Sequence, residues 1–222
     1  MCDMFCITPI LSYNEFMYIG IVGIIGVGKS VLTQKLSERL GYRAYYEPVK
    51  ENPYLDDYYN NKERYACIMQ FFMLTHRFRQ HLEIQKLYGK DIGIVQDQII
   101  FGDILYATMT HDLGFMNDRD FDTYLQHFRA LEPLLKLPDV LIHLDTSIET
   151  ALERIKQRGR TSEAAIDAGY LSALYKRFSD WTDSVQDKTN VFRLDWNSFR
   201  SVDEVVKEIE SKLQTQLELP TT

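Results

Sequence analysis

The sequence predicts an α/β fold: a five-stranded parallel sheet with helices on both faces. Three observations predict it. Short apolar, β-branched runs alternate with longer stretches of helical periodicity, the pattern of successive strand–helix–strand units. A glycine-rich octapeptide, Gly23-Ile24-Ile25-Gly26-Val27-Gly28-Lys29-Ser30, joins the first run to the first helical stretch. Carboxylates follow two of the runs, Glu47 and Asp97, where the ligand crevice of an open parallel sheet lies.

In chain order, residues 17–22 (MYIGIV) read as a buried strand. The octapeptide fits G-x-x-x-x-G-K-[ST], a phosphate-binding P-loop. Its glycines let successive backbone N–H groups turn inward around phosphate oxygens, and the helix start adds the positive end of a dipole. Lys29 would reach the β/γ-phosphates and the Ser30 hydroxyl would hold Mg²⁺. A plain glycine turn is the alternative. At ordinary glycine usage the pattern arises by chance in roughly one chain in a hundred of this length, and the strand–loop–helix context lowers that further.

Residues 31–40 are helical and end at Gly41, a C-cap. Residues 41–46 form a short second strand, ended by Pro48. Asn52 reads as the cap, and Pro53 as the first residue, of a short helix. Residues 62–88 form a long helix, with Tyr65, Ile68, Met69, Phe72, Met73 and His76 at three- and four-residue steps. Gln70 and Arg77, seven residues apart, share one face of it. His76 alone reads as a packed or surface histidine.

Residues 91–96 are a third strand with Asp97 at its end, and residues 99–110 a helix with Asp103 in its first turns. Residues 119–134 are helical up to Pro133. Residues 140–144 are a fourth strand, and Asp145-Thr146-Ser147 cap a helix over 148–157. Residues 170–188 form a helix, 191–195 a fifth strand and 202–217 a closing helix. There is no repeat and no linker. One domain therefore spans 17–217, with a poorly ordered extension at 1–16 and a tail at 218–222.

The chain has 222 residues and a formal net charge of −7. That charge disfavours a duplex nucleic-acid partner, which would want a basic face; a small phosphorylated ligand needs only a local basic patch. The three cysteines, Cys2, Cys6 and Cys67, form no CxxC pair, so neither a disulfide framework nor a zinc site is supported. A reducing, cytoplasmic location fits best. No segment is long enough to span a membrane, and residues 1–16 lack the basic character of a signal or transit peptide.

The dense basic cluster in this acidic chain runs from Arg154 through Arg158 and Arg160 to Glu163. It is either a solvated helix end or a lid whose arginines clamp a transferring phosphoryl group. A P-loop by itself says nucleotide, not reaction. No N-K-x-D motif marks a switch protein. The lid and the two carboxylates suit transfer from ATP to a hydroxyl: one carboxylate accepts the proton while Mg²⁺ and the lid neutralise charge.

Glu47-Pro48-Val49, Tyr59, Gln70, Arg77, Asp97, Asp103 and Arg158-Gly159-Arg160-x-x-Glu163 together resemble the deoxynucleoside kinase family over roughly residues 17–215. The E-P-V-x-E-N-P-Y stretch resembles its bacterial deoxyadenosine/deoxyguanosine kinase branch. The resemblance implies a three-layer P-loop kinase fold, ATP and Mg²⁺ as cofactors, a homodimer and phosphorylation of a deoxynucleoside 5′-hydroxyl. It also implies roles. Glu47 would be the general base, with Asp97 either orienting Mg²⁺ or competing for that role. Tyr59 and Glu163 would hold the 3′-hydroxyl, and Gln70 the base edge. Arg77 and Asp103 would form a charged pair at the far end of the base, favouring deoxyadenosine, deoxyguanosine or deoxycytidine over thymidine. Arg154 would stack on the donor adenine, Asn197 and Phe199 would line its pocket, and Arg158 would touch the phosphates. One departure stands out: Gln98 occupies the position of a family arginine that contacts the reacting phosphates or the 5′-oxygen. Losing such a contact costs on the order of 2–4 kcal/mol in the transition state. Two other readings remain, a nucleoside monophosphate kinase and a nucleotide-binding regulatory protein.

Overall fold

The computed structural model describes residues 16–49, 52–160 and 163–217. The expected extension, apart from Phe16, and the expected tail lie outside the described residues, as do Cys2, Cys6, Thr161 and Ser162.

The strands are β1 (Tyr18–Val22), β2 (Arg43–Tyr45), β3 (Ile94–Asp97), β4 (Val140–Asp145) and β5 (Asn190–Asp195). They form one sheet in the order β2-β3-β1-β4-β5, with every pairing parallel. Parallel strands are covered on both faces, so they read as continuous apolar runs; all of β1 and β3 is buried. The chain fills one side of β1 with β2 and β3 and the other side with β4 and β5. That reversal of strand order places the crevice at the C-terminal edge of β1. The register sets Ile21 beside Asp97 and Val22 beside His143, so the P-loop and Asp97 leave the sheet at the same edge.

Around the sheet lie α1 (Lys29–Leu40), α2 (Leu55–Asn60), α3 (Lys62–Leu87), α4 (Asp103–Asp112), α5 (Asp118–Leu131), α6 (Ile148–Arg158), α7 (Ala168–Ser184) and α8 (Val202–Leu217). α1 packs on α8, while α4 packs on α3, α5 and α7. Side chains at helix starts, among them Asn61 before α3 and Ser201 before α8, satisfy N–H groups that helices leave unpaired. Asn117 accepts from Asp120 N, Ser147 from Thr150 N and Asp167 from Tyr170 N.

Several element limits differ from the sequence reading: β2 is Arg43–Tyr45 rather than 41–46, the helix read over 119–134 is Asp118–Leu131 followed by a 3₁₀ turn, and four further differences have a clear local reason. Asn52 does not cap α2. Its Oδ1 accepts the Tyr54 N–H at 2.9 Å in a tight turn, and the helix begins at Leu55. β3 starts at Ile94, because Asp91 turns the chain at φ 55° and Gly93 packs against the Tyr42 ring. The stretch after β3 is not one helix: Gln98 takes φ 60°, a 3₁₀ turn spans Ile100–Gly102, and α4 begins at Asp103. α7 runs from Ala168 to Ser184, set by the Asp167 cap.

Candidate active site

The P-loop conformation depends on glycine at two positions. A Cβ on Gly26 (φ 85°) would lie 2.5 Å from the Ala151 carbonyl oxygen. A Cβ on Gly28 (φ 104°) would lie 2.8 Å from the Phe199 ring. Lys29 is buried, and its Nζ curls back to donate to the carbonyls of Gly23 (3.0 Å) and Ile24 (3.1 Å). Burial pulls its pKa down, and the charges of Asp97 and Glu47 push the other way. The Ser30 hydroxyl donates to Asp97 Oδ2. Asp97 is 1% exposed; burial pushes its carboxyl up while Lys29 opposes that. Its Oδ1 is buried without a hydrogen-bond partner among the described residues.

A cavity of about 560 Å³ opens between the P-loop, the segment after β2, α3 and the end of α6, within the range of a small-molecule site. Of the residues singled out in the sequence, Ile25, Gly26, Gly28, Lys29, Ser30, Glu47, Tyr59, Gln70, Arg77, Asp97, Arg158, Arg160 and Glu163 line it. They come from elements far apart in the chain and converge because their strand ends and helix faces share one edge of the sheet.

Arg77 dominates the electrostatics. It is 2% exposed and donates through Nη1 to Asp103 Oδ1 and through Nη2 to Glu47 Oε1. The planar guanidinium fork suits two carboxylates at once. The charged pair with Asp103 is therefore present, and the link to Glu47 is additional. Gln70, 3% exposed, donates through Nε2 to Thr110 Oγ1 at 3.3 Å. Tyr59 packs edge-on against Tyr58, and burial keeps its phenol protonated. Glu163 takes hydrogen bonds from Arg158 Nε (3.0 Å) and Nη2 and from Arg160 Nη1 (3.1 Å). The two lid arginines thus rest on a buried carboxylate.

Other predicted residues lie elsewhere. Gln98 is fully buried but does not line the cavity; its amide lies on Gly102, where a Cβ would be 1.9 Å from Nε2. Neither amide atom has a partner among the described residues. The left-handed backbone at this position, needed for the turn out of β3, sends the side chain that way. Arg154 donates to the carbonyls of Val27 (2.9 Å), Trp196 (2.8 Å) and Asn197 (3.0 Å) and lies 4.3 Å over the Phe199 ring. Asn197 Oδ1 accepts from Ser147 N at 2.8 Å. Arg154, Asn197 and Phe199 gather against the P-loop at Val27 and Gly28, apart from the cavity wall, so Arg154 ties loops together. Sequence reasoning gave no cavity role to Asn52, Met69, Met73, Tyr106 and Tyr170, which also line the cavity. Met69 and Met73 carried a signal, since they sit one residue before and three after Gln70.

The profile of the family described as deoxynucleoside kinase matches residues 19–218. The chain belongs to the deoxynucleoside kinase family. Among similar deoxynucleoside kinases is the deoxyadenosine kinase of Dictyostelium discoideum, 33% identical over 94% of this chain and 88% of that protein. The deoxyadenosine/deoxycytidine kinase of Bacillus subtilis is 38% identical over 73% of this chain and 75% of that protein. A solved structure of deoxyadenosine kinase from M. mycoides, with the products dCMP and a flexible dCDP bound, superposes with a TM-score of 0.77. It is 30% identical and covers 90% of this chain and 100% of that chain. The P-loop kinase fold and the kinase activity expected from the sequence both hold. As a deoxynucleoside kinase, the chain is a phosphotransferase acting on deoxynucleosides. Among the described residues no helix is long and apolar enough to cross a membrane.

Proposed function

We propose that this deoxynucleoside kinase uses ATP and Mg²⁺ to phosphorylate the 5′-hydroxyl of a purine deoxynucleoside or of deoxycytidine. The observation that carries the reading is Arg77 joining Glu47 to Asp103 in a cavity whose other end is Lys29 and the Ser30–Asp97 pair. The similar deoxyadenosine and deoxyadenosine/deoxycytidine kinases support the acceptor class.

In this reading Glu47 takes the 5′-hydroxyl proton. The 5′-oxygen bonds to the γ-phosphorus as the β–γ bridge breaks, and that electron pair stays on the departing β-phosphate. Glu47, with one oxygen on Arg77 and its side chain 22% exposed, suits the role of base better than Asp97, which is 1% exposed and accepts the Ser30 hydroxyl. Tyr59 and Glu163 hold the 3′-hydroxyl and Gln70 meets the base edge. Arg158 and Arg160 leave Glu163 in part to meet the phosphates. Arg154, stacked on Phe199 with Asn197 beside it, would flank the donor adenine.

The partnerless Oδ1 of Asp97 and the neighbouring Ser30 hydroxyl are hard oxygen donors, a fit for Mg²⁺ held partly through water and phosphate oxygens. When bound, Mg²⁺ neutralises phosphate charge and orients the leaving group. A homodimer is part of the proposal, supported by an apolar groove that includes Phe101, Ile104, Phe128 and Trp181; a monomer mass in light scattering counts against it. The reducing, cytoplasmic setting is likewise proposed.

Labelled ATP and Mg²⁺ with the four deoxynucleosides and their monophosphates test the reading. Label on deoxyadenosine, deoxyguanosine or deoxycytidine supports it. Label on monophosphates alone makes the enzyme a monophosphate kinase. ATP binding without transfer makes it a regulatory nucleotide-binding protein.

A further inference from the structure

We propose that Asn52 is a second base-reading amide, which together with Gln70 selects the acceptor–donor–acceptor edge of adenine. The inference rests on the deoxynucleoside reading above and narrows its acceptor.

Asn52 lines the cavity and is 8% exposed. Its Oδ1 accepts the Tyr54 N–H at 2.9 Å, which settles which way the amide faces. The NH₂ group then faces Met73 Sδ at 3.4 Å, a weak acceptor. A buried amide donor resting on a thioether is poorly satisfied, and such groups are costly to leave so. Among the described residues this donor meets only the Met73 thioether.

Met73 sits one helical turn from Gln70 on the same face of α3, so the two amides border one part of the wall. The orientation of Gln70 is settled too. The Thr110 hydroxyl gives its one proton to the Tyr106 carbonyl at 2.5 Å and so accepts from Gln70 Nε2. Gln70 keeps one N–H and its Oε1 for a ligand. Together the wall offers donor, acceptor, donor: Gln70 N–H, Gln70 C=O and Asn52 N–H.

Adenine answers that array, with its 6-amino donor flanked by the N1 and N7 acceptors. Cytosine has the amine and N3 but only a C–H on the other side. Guanine puts an acceptor, O6, where Gln70 Oε1 needs a donor. Met69 and Met73 add soft, adaptable thioethers against the base.

The test compares the unmodified enzyme with Asn52→Leu, which removes the donor, and with it the oxygen that accepts the Tyr54 N–H, at similar volume. Readouts are kcat/KM and calorimetric Kd for deoxyadenosine, deoxycytidine, 7-deaza-deoxyadenosine and 1-deaza-deoxyadenosine. Losing one buried hydrogen bond is expected to lower kcat/KM for deoxyadenosine about tenfold, with under about twofold change for deoxycytidine and an unchanged KM for ATP. Each deaza analogue lacks one of the two acceptors and binds the unmodified enzyme about tenfold more weakly than deoxyadenosine, and Asn52→Leu erases that difference for one of the two. The analogue comparison on unmodified enzyme stands even if the variant folds poorly. Equal losses for all nucleosides, or either analogue binding the unmodified enzyme like deoxyadenosine, overturn the inference. Selective, Asn52-dependent binding without any phosphoryl transfer sinks the kinase reading and leaves this inference standing. Transfer without an atom-specific loss sinks the inference alone.

Discussion

Arg77→Met isolates the energetic role of the guanidinium in the cavity. Arg77 and Asp103 have side chains 2% and 0% exposed, and Asp103 Oδ1 depends on Arg77 while Oδ2 has no partner among the described residues. Removing Arg77 leaves a buried, uncompensated carboxylate, a change that costs about 3–5 kcal/mol. Glu47 also loses a partner, but its side chain is 22% exposed and can be hydrated, so it adds little. For a domain of this size that cost corresponds to a fall of about 6–20 °C in Tm. The assay is a double-mutant cycle in urea with Arg77→Met, Asp103→Leu and both together. Replacing a buried pair by apolar residues is often nearly neutral, so the double variant is expected to recover most of the stability lost by Arg77→Met. A loss below about 1 kcal/mol in Arg77→Met, or a double variant no more stable than the single one, would refute the reasoning.

Lys29→Met removes the cation from the P-loop and should lower kcat about 10²–10³-fold. Stability should move by no more than about 2 kcal/mol, since Nζ makes two ordinary hydrogen bonds to carbonyls; a larger stability loss than activity loss counts against a role at the phosphates. Burial holds His81 and His143 near a pKa of about 4, below the ordinary 6.5. The unfolded chain therefore binds protons between those values that the folded chain does not. Each imidazole's contribution is complete above 6.5 and is lost as pH falls toward 4, up to about 3 kcal/mol. Urea midpoints from pH 7.5 to 4.5 should fall less steeply in His143→Gln than in the unmodified chain, and parallel curves would contradict this. Gln98→Arg should raise turnover without changing which base is preferred, provided the longer side chain leaves Gly102 and swings to the Glu47–Asp97 side; an unchanged or lower kcat sinks the expectation.

The elements were legible where the signal is local. β1, the P-loop and α1 are written in eight motif residues and two apolar periodicities, and Gly41 ends α1 with φ 69°, as its position after the last helical leucine suggested. Boundaries slipped where a side chain made a different local bond than the one expected. Asn52 spent its oxygen on a turn at Tyr54, and Gln98 broke the stretch after β3 with a left-handed backbone. The basic cluster could not reveal its own division of labour. Arg158 and Arg160 bind Glu163, whereas Arg154, one turn earlier, spends its donors on carbonyls of two other loops.

Sequence by itself determined the strand–helix order, the phosphate loop and the identity of the charged groups at the strand ends, because periodicity, capping and glycine conformation act over a few residues. Only the tertiary structure decided that Arg77 joins Glu47, thirty residues before it, to Asp103, twenty-six after it. It alone turned Gln98 away from the cavity and Asn52 toward it. Those outcomes depend on which side chains meet at one edge of a parallel sheet, and that meeting is set by strand order and register rather than by any neighbour in the chain.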